Sequence, residues 1–242
     1  MKKFSLLLLI CSTFLLQGCF NVIEDIHLNK KGSGTYQITY DLSSIISNPM
    51  LKEMIKQSAE EGDESMSGLF SGGEMELDTL IALKDSPMSE GKEMPEVLKK
   101  ATMAMKISES KGQFETVMKF DFKNVGEIAE FYTALGDISE EGQAGFGGML
   151  PSLGLFETKK KSITRKSFDL TNLKEQMGGE ESMDMMKMMM SGATYKTIYH
   201  LPKKAKNTNI EGAKMDGKTV TVTHDYLDII EGTANLAGTI KF

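Results

Sequence analysis

Six methionines crowd into residues 183 to 190: Met183, Met185, Met186, Met188, Met189 and Met190. Their thioether sulfurs could do two kinds of chemistry. Thioethers are soft ligands that select Cu(I), which would make Met185, Met188 and Met189 a metal set. A flexible, polarizable methionine surface also suits adaptable binding of an apolar ligand, an acyl chain or a protein partner. A third reading is packing, with Met as the filler of a buried helix. On a helical wheel Glu180, Asp184, Lys187 and Ser191 form one polar stripe and leave nearly everything else apolar. No His or Cys lies nearby and the sulfurs point around the helix, which weighs against copper.

The histidines give a different picture. His27, His200 and His224 fall on three predicted strands, far apart in the chain, with no HxH, HxxxH or HExxH spacing. Spacing alone therefore predicts no zinc or di-metal site, and each histidine is expected at the surface or hydrogen-bonded. No GxSxG elbow marks a nucleophile. The Gly-rich stretches 68 to 73 and 142 to 148 match neither a P-loop nor GxGxxG after a strand, so they read as loops. The expectation is a non-enzymatic protein without a cofactor.

Cys19 has the most telling surroundings. Lys2 and Lys3 precede an apolar run from Phe4 to Leu16, and Leu16-Gln17-Gly18-Cys19 follows. A charged start, a short apolar core and a small residue form a secretory signal, and the core is shorter than the roughly 20 apolar residues that span a bilayer. The tetrapeptide resembles the lipobox of bacterial lipoproteins. That resemblance implies cleavage before Cys19, a diacylglycerol on its sulfur, and a membrane as its partner through that lipid. Residues 1 to 18 are then a cleaved signal and residues 19 to 242 an extracytoplasmic domain. Phe20 in place of Asp after the cysteine favours the outer membrane in a two-membrane envelope.

Without the two signal lysines the 28 Lys+Arg become 26, against 34 Asp+Glu. An acidic chain repels nucleic acid and anionic lipid surfaces. Cys11 leaves with the signal and Cys19 is acylated in this reading, so no disulfide is expected and stability must come from packing.

The elements that position these residues follow from period and punctuation. Val22, Glu24, Ile26 and Leu28 alternate up to the turn Lys30 to Gly34, and Thr35 to Leu42 answers them as a hairpin. Ser43 and Ser44 can cap a helix running to about Glu60. Residues 61 to 74 are a loop, Met75 to Leu83 a strand and Glu93 to Lys100 a short helix. A second hairpin pairs Ala101 to Glu109 with Gln113 to Phe122, and a helix follows over Val125 to Leu135. A third pass sets Leu155 to Thr158 against Ser162 to Phe168, then a helix from Asn172.

The strand-to-helix junctions share letters. Tyr40-Asp41-Leu42-Ser43-Ser44-Ile45, Phe120-Asp121-Phe122-Lys123-Asn124-Val125 and Phe168-Asp169-Leu170-Thr171-Asn172-Leu173 read aromatic, Asp, apolar, any, Ser or Asn, apolar. A repeat of this kind predicts an α+β fold: antiparallel sheets built from ββα-like units, with helices packed on one face. The sub-units would be 20 to 60, 75 to 138, 153 to 191 and 193 to 242.

Residues 193 to 242 close the chain. Ala193 to Leu201 reads as a strand ended by Pro202, and Asp216-Gly217 between alternating runs predicts a tight hairpin. A strand ending in Leu-Pro, an Asn-containing segment, then Asp-Gly-Lys-Thr-Val before a strand resembles the domain of mycobacterial LppM-type lipoproteins over about fifty residues. Lys203 stands where the usual Gly would follow the Pro, and a Trp expected in the last strand is absent. The resemblance implies an α+β domain with an apolar cavity, linked to lipid or lipoglycan binding, and it assigns no binding residue.

Overall fold

The computed structural model describes residues 20 to 47, 49, 53, 76 to 85, 94 to 139, 155 to 167, 187 and 190 to 242. The opening hairpin forms as the alternation dictates: β1 (Asn21–Leu28) pairs antiparallel with β2 (Gly34–Asp41). In β1 the apolar phase Val22, Ile26 and Leu28 is buried and takes Glu24 in with it, while Asp25 and His27 face outward. The next strands are β3 (Glu76–Ala82), β4 (Thr102–Ser108) and β5 (Gln113–Phe122), with β5 seated on β2. After β6 (Phe156–Lys159) and β7 (Ser162–Arg165) come β8 (Thr194–His200), β9 (Asn207–Thr208), β10 (Lys214–Asp216), β11 (Thr219–Asp225) and β12 (Gly238–Lys241).

These strands form two sheets. The large one runs β10-β11-β8-β1-β2-β5-β4-β3, the small one β6-β7-β12-β9. Among the described strands every pairing is antiparallel except β1 with β8, which is parallel and sets His27 opposite His200. The Asp216-Gly217 turn joins β10 to β11 as its letters predict, with Gly217 at φ 57°, where a side chain would strain.

The helices among the described residues are α1 (Ser43–Ser47), α2 (Glu96–Lys99), α3 (Gly126–Ser139) and α4 (Tyr226–Glu231). Only α3 is long. Ile128, Phe131, Tyr132 and Leu135 recur at helical spacing and are buried against the sheet, with the Phe131 ring stacked on Phe120 at 4.7 Å. Asp225 caps α4 by accepting from the Leu227 N–H at 2.9 Å.

The expected α+β fold of ββα units with helices on one face is corrected by this topology: the protein is mostly β. Of the helices that follow the described hairpins only α3 is long, α1 and α4 being five and six residues. The hairpins join side by side into one continuous sheet, whose inner face is covered by α3 and by the second sheet. The third hairpin, β6–β7, forms that second sheet with the C-terminal β12. Asp41 and Asn124 do accept from the Ser43 and Gly126 N–H groups, so the shared letters describe local turns rather than a repeated unit. The helix expected from Asn172 lies outside the described residues.

Candidate functional site

Adjacent residues of β1 face opposite sides of the large sheet and build two different polar sites. On the inner side Glu24 is fully buried. A bare carboxylate there would be costly, so its oxygens need partners. Oε1 accepts from the Tyr36 hydroxyl at 2.8 Å, and that hydroxyl, its one proton spent, accepts from Tyr132 of α3 at 2.5 Å. Oε2 accepts from Arg165 Nη1 of β7 at 2.7 Å and from the Thr197 hydroxyl of β8 at 3.0 Å. Arg165 also donates to Thr197 at 2.9 Å and to the Tyr195 hydroxyl at 3.2 Å, and its guanidinium lies over the Phe156 and Tyr195 rings.

This network ties both sheets and α3 together. Burial, then the Glu24 charge, pushes the Tyr36 and Tyr195 hydroxyls well above the ordinary tyrosine value. Burial works against the Arg165 charge, but Glu24 together with the Tyr195 and Tyr199 hydroxyls outweighs it, so the guanidinium holds its proton even more firmly than usual. With no exposure at Glu24 and with both carboxylate oxygens occupied, the arrangement suits holding the layers in register.

On the outer side Asp25, His27 and His200 meet. Alternation puts Asp25 and His27 on the same face of β1, two residues apart. The parallel register then places His200 of β8 directly across from His27. The two imidazoles stack with centroids 3.9 Å apart and planes 7° from parallel. His27 Nε2 lies 3.0 Å and His200 Nε2 2.9 Å from the same oxygen, Asp25 Oδ1. Neither nitrogen is aligned for a hydrogen bond, and that buried oxygen has no hydrogen-bond partner among the described residues. On the solvent side both rings are open, His27 by 56 % and His200 by 37 % of the side chain. Gln37 and Thr35 of β2 and Thr219 of β11 sit across the ladders from Asp25, His27 and His200.

The other sites expected from sequence are placed as follows. Cys19 lies outside the described residues, immediately before buried Phe20. Met183, Met185, Met186, Met188 and Met189 also lie outside them, and Met190 is a core residue at 4 % exposure. His224 stands opposite Tyr195, at the far end of β8 from His200. Histidine spacing along the chain could not show that His27 and His200 are neighbours, because only a strand register joins them. Beside the β1–β2 turn an open groove is lined by Asn29, Thr35, Lys100, Asp121, Phe122 and Lys123.

The fold and site thus define a two-sheet, mostly β protein with a sealed ion-pair network on one side of its central strand and a histidine-carboxylate cluster on the other. No family model matches the chain, and no curated protein matches it. Among solved structures it is similar to the folded domain of the Mycobacterium tuberculosis LppM protein, determined by NMR. That likeness has 12 % identity and a TM-score of 0.44, over 93 % of this chain and 92 % of that one.

Proposed function

We propose that this protein is a lipid-anchored, non-enzymatic domain of the bacterial cell envelope, held close to the membrane through Cys19, with the outer membrane as its location. The observation that carries the reading is the packing of Phe20. Phe20, directly after Cys19, is already buried, its ring packs edge-on against Tyr226 at 5.6 Å, and its carbonyl accepts from the Thr194 N–H at 3.0 Å. Residues 1 to 18 carry the features of a cleaved secretory signal, so cleavage at Gly18-Cys19 would remove the signal and keep every described strand and helix. One acyl-bearing residue then joins directly to β1, with almost no tether between lipid and domain. A diacylglycerol supplies two chains, the number that stable anchoring requires.

Metabolic labelling with an alkyne fatty acid tests this reading. The wild-type chain should take up label and Cys19→Ser should not. Equal labelling of both, or labelling of neither, would overturn it.

A further inference from the structure

We propose that Asp25, His27 and His200 form a binding site for one divalent transition-metal ion of the zinc class, on the outer face of the large sheet. The donors are Asp25 Oδ1, His27 Nε2 and His200 Nε2, which all lie within 4.8 Å of one another. Oxygen-to-nitrogen separations of 3.0 and 2.9 Å are close to what two ligands of one ion require. With metal-ligand bonds of about 2.0 to 2.2 Å, neighbouring donors stand about 3 to 3.5 Å apart.

The local electrostatics favour a cation over the cluster's own contacts. Asp25 Oδ1 is buried without a hydrogen bond from the described residues, while two ring nitrogens crowd it out of line. A carboxylate oxygen in that position lacks a partner, which is a costly state for a buried acceptor. A cation in front of the three donors would satisfy all of them at once. The imidazole rings stack face to face and both side chains are partly exposed, so each has room to turn its nitrogen toward a shared ion.

Ligand type selects the metal. Two imidazoles and one carboxylate suit zinc, copper(II) or nickel(II), whereas Mg2+ and Ca2+ prefer oxygen alone. Three protein ligands with an open solvent side leave at least one coordination position for water or for a donor from another molecule. The site differs in ligands and metal from the methionine set considered for Cu(I), and it does not depend on lipid at Cys19.

The experiment titrates Zn2+ into the untagged full chain in detergent against a chromophoric zinc chelator, using wild type, His27→Gln, His200→Gln and His224→Gln. All four share both cysteines, so thiol binding cancels in the comparison. Wild type and His224→Gln should bind with the same affinity, and His27→Gln and His200→Gln should each bind at least about tenfold more weakly. A wild-type chain that fails to compete, or His27→Gln and His200→Gln binding as tightly as wild type, would overturn the proposal. Should either variant fail to fold, NMR of the wild type decides: Zn2+ should shift the imidazole protons of His27 and His200 and leave those of His224 in place. Shifts at His224 alone, or none at all, would refute the site.

Discussion

Arg165 donates to Glu24 Oε2 at 2.7 Å across the packed faces of the two sheets, and neither side chain is exposed to solvent. A pair of this kind holds layers in register but is unforgiving of half-removal. Breaking a buried ion pair from one side leaves an uncompensated charge and costs about 3 to 5 kcal/mol. Glu24→Gln and Arg165→Met should each lower stability on that scale in urea unfolding. The double variant should cost less than the sum of the two, with a coupling of about 0.5 to 3 kcal/mol. Additive costs would show that the pair does not act as a unit.

All six tyrosines of the chain, Tyr36, Tyr40, Tyr132, Tyr195, Tyr199 and Tyr226, are buried. Burial raises each above the ordinary value of 10.0, Tyr199 to about 12. The folded chain therefore binds phenolic protons more tightly than the unfolded chain. Its stability from this source is complete below about pH 10 and declines as pH rises above that value, through the higher folded-state range. Absorbance at alkaline pH should show almost no tyrosinate in the native protein near pH 10, and about half of the tyrosines ionised there in denaturant. A normal tyrosine titration of the native chain would contradict the packing.

Gly34 opens β2 where the backbone of β1 comes closest. A Cβ at this position would lie 1.7 Å from the His27 carbonyl oxygen and 2.7 Å from the Phe122 ring. Backbone cannot yield as a flexible side chain does, so Gly34→Ala should destabilise the fold by about 3 kcal/mol or more. Because the displaced strand carries His27, zinc affinity should fall with it. An alanine variant with an unchanged melting temperature would contradict the close approach.

Much of this fold is legible in the sequence as strands and little of it as partners. Period two gives β1, β2, β4, β5, β8 and β11, and Asp216-Gly217 gives a hairpin. Alternation says which face a residue takes, but it is silent on which strand lies alongside. The parallel β1–β8 pairing and the side-by-side joining of the hairpins were therefore hidden, and with them the His27–His200 contact. Glu24 did leave a signal. It occupies the apolar phase between Val22 and Ile26, where a charge demands a buried partner, and Arg165 follows Ile163 in the same inward phase of β7. Lone motifs at strand ends, such as Tyr40-Asp41 and Phe120-Asp121, recur because helix starts and turns need a capping side chain whatever the sheet does next.

The anchor at Cys19 is the central claim, and the mass of the N-terminal peptide from membrane-purified protein tests it most directly. The expected peptide begins at Cys19, lacks residues 1 to 18 and carries a diacylglyceryl group on the cysteine sulfur. A peptide that retains residues 1 to 18, or that begins at an unmodified Cys19, would contradict it.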